Sequence, residues 1–128
     1  MQLTRVAIIG LGSIGRRHLR LISEVRPDIE IILVRSGYGE VCKEEKIASK
    51  VVFSISEAIE FGIQAAIISS PATLHLQQSL ELAKSEVHLL IEKPLSHTTD
   101  RLDVLLKVIN DNNIVAMVGY ALRYDIGA

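Results

Sequence analysis

Val6-Ala-Ile-Ile-Gly-Leu-Gly-Ser-Ile-Gly-Arg-Arg-His18 is the stretch whose reading decides the fold. Val6 to Ile9 are β-branched or small and suit a strand buried on both faces. A helical stripe then starts, with Ile14, His18, Leu21, Ile22 and Val25 on one side. Between strand and helix stand three spaced glycines. In a strand–turn–helix unit, the first glycine permits a tight turn, the second lets a pyrophosphate approach the backbone, and the third lets helix and strand pack closely. Gly10, Gly12 and Gly15 occupy those places, with Leu11, Ser13 and Ile14 completing the loop. A helix beginning near Ser13 directs its unpaired N–H groups and positive dipole end at the same spot, so an anion needs no basic side chain there.

Outward from this unit, strands and helices alternate. Pro27-Asp28 reads as a turn, and Ile29 to Val34 as a second strand. Val41 to Ala48 reads as a weak, charged surface helix. Val51 to Phe53 is a short third strand, and Ser54-Ile-Ser-Glu57 has the spacing of a capping box that opens a brief helix ending at Gly62. Ala65 to Ile68 is a fourth strand, followed by the Ser69-Ser-Pro-Ala-Thr73 loop and a helix from Leu74 to Lys84 with Leu76, Leu80 and Ala83 inward. Val87 to Ile91 is a fifth strand. Thr99 to Asn110 follows as a helix with Leu102, Leu105, Leu106 and Ile109 inward, and Ile114 to Val118 is a sixth strand. This alternation predicts an α/β fold, a doubly wound parallel sheet with right-handed crossovers and helices on both faces. Ligands of such sheets bind outside the carboxyl ends of the strands.

The 128 residues suffice for one domain with a proper core. A formal net charge of −1 gives no global field for nucleic acid or an anionic membrane surface. Cys42 is the single cysteine, so no intrachain disulfide forms, and the four histidines show no metal-ligand spacing; no metal is expected. With no signal-peptide pattern and no long apolar run, the expectation is a cytoplasmic protein.

These residues resemble the oxidoreductases grouped as Gfo/Idh/MocA, after glucose-fructose oxidoreductase and inositol dehydrogenase. The resemblance rests on the GLGSIG turn, the Pro71-Ala-Thr-Leu-His75 loop, Glu92-Lys-Pro94 after the fifth strand, and Gly119-Tyr-x-x-Arg123-Tyr after the sixth. It implies an NAD(P)-binding Rossmann domain over residues 1–120. Residues 121–128 are then the start of a linker towards a second, substrate-holding domain that the chain does not contain. It further implies hydride transfer between a nicotinamide cofactor and a sugar-like or polyol substrate, and a homo-oligomer is compatible with it. A different class stays open, a nucleotide-binding sensor or regulatory module without turnover.

Through the resemblance, Lys93 is the candidate that lies beside the nicotinamide and assists the substrate proton, and His75 is a second catalytic candidate. Composition alone makes Lys93 a solvated loop lysine, a preference its position after an apolar strand reverses, and the alternative for His75 is packing against its own helix. Glu92 either accepts from a ribose hydroxyl and orients Lys93 or forms a surface ion pair. Pro94 ends the strand. Ser69, Ser70 and Pro71 join the cofactor-binding candidates, as does Arg123. His18 and His88 read as structural. The residue expected to bind both ribose hydroxyls is acidic and lies roughly 20 positions past the glycine turn; here Arg35 and Ser36 stand there. An arginine with a neighbouring hydroxyl suits a 2′-phosphate, which tilts the choice slightly to NADP over NAD; the alternative is an arginine stacked on adenine. Arg16, Arg17 and Arg20 read as a solvated helix face rather than a nucleic-acid patch.

Overall fold

The computed structural model describes residues 2–35, 43–93, 99 and 101–119. Six strands, β1 (Arg5–Ile9), β2 (Glu30–Val34), β3 (Lys50–Val52), β4 (Ala65–Ile68), β5 (His88–Glu92) and β6 (Ala116–Gly119), form one parallel sheet in the order β3-β2-β1-β4-β5-β6. Each connection out of β1 and β4 crosses to a different side, so the order reverses between these two neighbours. That reversal is where ligands of open α/β sheets bind.

Strand alternation sorts the core into two layers. Ala7 and Ile9 of β1, Ile32 and Val34 of β2, Ala66 and Ile68 of β4, and Leu89 and Ile91 of β5 face helices α2 (Ile55–Glu60), α3 (Ala72–Lys84) and α4 (Leu102–Asp111). Val6, Ile8, Ile31, Leu33 and Ile67 face α1 (Ser13–Val25). A strand flanked on both sides has no polar face, which explains the unbroken apolar run from Val6 to Ile9.

The phase of α1 differs from the stripe expected from sequence. Gly15, Leu19 and Ile22 turn inward, whereas Ile14, Leu21 and Val25 are exposed, Val25 by 74%. The cause is Gly15, which closes against the Gly10 carbonyl at the end of β1, so the inward stripe has to run through residues three and four positions on from it. In α4, Leu105 is buried and Leu106 is 64% exposed, a second departure from the expected stripe. That helix begins at Leu102 rather than Thr99, because Arg101 just before it has φ +62°. Conversely α3 begins at Ala72, two residues earlier than the apolar spacing indicates, since Pro71 with φ −58° leads the chain into the helix and Ala72 and Thr73 carry no periodic signal.

The expected surface helix around Val41 to Ala48 is, over its described part, a 3-10 turn at Lys43–Ile47 whose Glu44 is only 7% exposed. The capping box is present: Ser54 Oγ accepts from the Glu57 N–H at 3.2 Å, and Gly62 with φ +77° follows the helix. His88 is structural, its Nδ1 accepting the Val115 N–H at 2.9 Å. Among the described residues no helix is long and apolar enough to cross a membrane, and no group of three or more His, Cys, Asp or Glu side chains gathers to hold a metal.

Candidate functional site

At the carboxyl ends of β1, β2 and β4 lies a cleft of about 1030 Å³. Gly10 to Ile14, Arg35 and Ser69 to Pro71 line it, which brings together residues chosen from three separate loops. Ser36 and Arg123, together with Pro94, Cys42, His97, Tyr120 and Tyr124, lie outside the described residues.

The three glycines are needed for three different reasons. Gly10 has φ +89°, and a Cβ there would stand 2.9 Å from the Ser70 backbone. Its N–H donates to the Val34 carbonyl at 3.1 Å, tying the turn to β2. Gly15 sits where a Cβ would be 2.2 Å from the Gly10 carbonyl oxygen, so only glycine lets α1 close on β1. Gly12 is the opposite case. No heavy atom lies within 4 Å of its Cβ position, which therefore opens onto the cleft. The first helical bond of α1 runs from Arg16 N–H to the Gly12 carbonyl at 3.0 Å, leaving the N–H groups of Ser13, Ile14 and Gly15 ahead of it. No side chain caps this end and no acidic residue occupies the first turn. The end of the helix is thus a positive pole with no built-in anion.

The β4 side of the cleft is braced from within. Ser69 Oγ donates to the carbonyls of Ile9 (2.9 Å) and Gly10 (3.0 Å), fastening the two loops across the reversal point. The Ser70 hydroxyl donates to the Gln78 side-chain oxygen. His75, 1% exposed, donates from Nε2 to the Ser70 carbonyl at 2.6 Å. Its imidazole thus reaches back to its own loop, while the described lining of the cleft on this side comes from Ser69, Ser70 and Pro71.

Glu92 and Lys93 stand apart from that cleft, at the carboxyl end of β5. Because Leu89 and Ile91 point to the α3 side, alternation turns Glu92 to the α1 side, where its Oε1 lies 2.5 Å from His18 Nε2. It also lies over Gly119 of β6, whose Cβ position is 3.5 Å from the same oxygen. His18 is consequently more than a packing residue; it pairs with the carboxylate beside Lys93. Lys93 itself is exposed.

Arg35 is held by Glu45, Nη1 to Oε1 2.8 Å, with both side chains largely buried. Sequence reasoning missed Glu45, His18, Ser54 and Phe53. The last two line the cleft from the end of β3. The signal for Ser54 was present, since the residue that caps α2 must stand at that edge. His18 and Glu45 had no local signal, because their partners are 74 and 10 residues away.

Arg20 of the basic helix face bonds Glu44 at 3.2 Å, an ordinary intramolecular use of an arginine.

A family model described as "Oxidoreductase family, NAD-binding Rossmann fold" matches residues 4–120. The scyllo-inositol 2-dehydrogenase (NAD(+)) of Bacillus subtilis (strain 168) is 25% identical over 125 residues, covering 94% of this chain and 36% of that protein. The crystal structure of myo-inositol 2-dehydrogenase from Lactobacillus plantarum superposes with a TM-score of 0.84 at 25% identity, covering 98% of this chain and 38% of the other. The scyllo-inositol dehydrogenase from Lactobacillus casei, solved with bound NAD(H) and scyllo-inositol, shares the fold with a TM-score of 0.83 at 22% identity, covering 98% of this chain and 38% of the other. The chain spans less than two fifths of the length of each of these proteins. Glycine turn, sheet order and family match agree: the chain belongs to the Gfo/Idh/MocA oxidoreductase family and forms its NAD-binding Rossmann fold.

Proposed function

We propose that this chain holds a nicotinamide dinucleotide in the cleft between the β1 and β4 loops, as the cofactor domain, residues 1–120, of an oxidoreductase acting on a sugar-like or polyol alcohol. The observation that carries the reading is Gly12. Its Cβ position is open in a cleft whose other two glycines are closed by contact, directly before a helix N-terminus without an acidic residue. Those features fit a pyrophosphate. When bound, the cofactor gives or accepts a hydride.

The chain's own residues do the rest. Gly10 to Gly15 hold the pyrophosphate with backbone N–H groups, and Ser69 and Ser70 keep the opposing loop at the right separation. His75 is a positioning residue, fixing that loop through the Ser70 carbonyl. Lys93 donates to the substrate oxygen, with Glu92 beside it steered by His18. A compact ammonium with three donors suits that task. The inositol dehydrogenases among the relatives favour a polyhydroxylated substrate.

Calorimetric titration with NAD(H) and NADP(H) tests the reading. Wild type is expected to bind, and Gly12→Val to lose binding while remaining folded, because a Cβ at that position meets no protein atom within 4 Å and the N-cap change costs only about 1 kcal/mol. Equal affinity in the two proteins would remove the glycine turn from the site.

A further inference from the structure

We propose that Glu45 sets the cofactor preference of this cleft, favouring NAD over NADP by occupying Arg35; the proposal rests on the cleft being the dinucleotide site. Arg35 follows β2, its N–H bonded to the Val52 carbonyl at 3.0 Å, and it lines the cleft at the position that in such units meets the adenosine ribose. Taken alone, that guanidinium suits a 2′-phosphate.

The structure gives it an anionic partner. Glu45 Oε1 lies 2.8 Å from Arg35 Nη1, and the two side chains are only 10% and 13% exposed. A charge-assisted bond at that length engages part of the guanidinium's donor fork. It also sets a carboxylate against the arginine to which a 2′-phosphate would bring further negative charge, and like charges brought together repel. A neutral 2′-hydroxyl meets no such repulsion. Glu45 thus sets, from another element, a negative charge against the arginine that stands where β2 lacks an acid.

The carboxylate is built into place. Glu44, next to it, is 7% exposed and accepts from Arg20 Nη1 on α1 at 3.2 Å. Two residues past the same turn, the Ser49 N–H donates to the Ile31 carbonyl of β2 at 2.8 Å. Two successive glutamates therefore clamp the 3-10 turn to α1 on one side and to the end of β2 on the other.

Affinities for NAD and NADP are to be measured by titration of wild type, Glu45→Gln, Glu45→Asp, Arg35→Ala and the Glu45→Gln/Arg35→Ala double variant. Wild type is expected to favour NAD, and Glu45→Gln to move the affinity ratio towards NADP by about tenfold, the scale of one hydrogen bond to a charged group. The shift should vanish in the Arg35→Ala background, and Glu45→Asp should keep the wild-type direction. Competition on wild type alone by ADP-ribose and its 2′-phosphate gives the same answer without any variant, with the unphosphorylated compound binding more tightly. A wild type that prefers the phosphorylated ligands, or a Glu45→Gln ratio equal to that of wild type, overturns the proposal. A folded wild type that binds none of these ligands overturns instead the assignment of the cleft.

Discussion

His18 Nε2 on the first helix lies 2.5 Å from Glu92 Oε1 at the end of the fifth strand, joining residues 74 positions apart beside Lys93. Both side chains are about four-fifths buried. The pair is expected to couple by about 1 kcal/mol in a double-mutant cycle of His18→Ala and Glu92→Gln, as for a partly shielded charged hydrogen bond. Urea unfolding of the four proteins measures it. Strictly additive losses would show that the contact contributes nothing beyond its two members.

Gly15→Ala should be far more damaging than Gly12→Ala. The new methyl at residue 15 would stand 2.2 Å from the Gly10 carbonyl oxygen, a backbone atom that cannot swing aside. Forcing α1 off β1 is expected to cost at least about 2 kcal/mol, the usual scale of overpacking. At residue 12 no atom lies within 4 Å, so the fold should lose little. Matched thermal melts decide between them, and comparable losses would contradict the assigned division of roles.

Ser54→Ala removes the side chain that accepts the Glu57 N–H at 3.2 Å and leaves the first turn of the second helix uncapped. About 1 kcal/mol of stability should be lost. Since Ser54 also lines the cleft, cofactor affinity is expected to weaken together with stability. A Ser54→Asp variant, which restores an acceptor, should recover the stability alone; if it melts no higher than the alanine variant, capping is not what Ser54 provides.

Arg26 donates to both carboxylate oxygens of Asp28, at 3.0 and 2.8 Å, and these bonds hold the carboxyl below its ordinary value of 3.8. A group whose folded value is depressed stabilises above its unfolded value and loses that contribution as pH falls through the folded one. The difference in melting temperature between wild type and Asp28→Asn should therefore be present at neutral pH and close below about pH 4. With both side chains substantially exposed, the difference should be small. A gap that widens on acidification would reverse the sign and refute the assignment.

Hydride transfer requires substrate held against the nicotinamide in a near-attack geometry. Lys93 is exposed, and the chain covers less than two fifths of its inositol dehydrogenase relatives. These 128 residues, expressed by themselves, are expected to bind cofactor without turning over sugars, polyols or inositols when the absorbance of the reduced cofactor is followed. Turnover abolished by Lys93→Ala would show the opposite.

The sequence by itself determined the strand–glycine–helix unit, the alternation of strands and helices, and the capped second helix. Each of these is written in neighbouring residues: a two-residue or 3.6-residue period, a backbone angle only glycine accepts, a serine three positions before a glutamate. It also marked the loops that meet in the cleft, because parallel order sends every strand's carboxyl end to one edge. Tertiary structure alone decided the inward phase of the first helix, which the contact of Gly15 with Gly10 imposes and which left Val25 outside. It alone put His18 on Glu92 and Glu45 on Arg35. The direction and partner of a polar side chain depend on strand parity and on which element packs across from it. Those relations are set only when distant segments share one sheet, and no local pattern carries them.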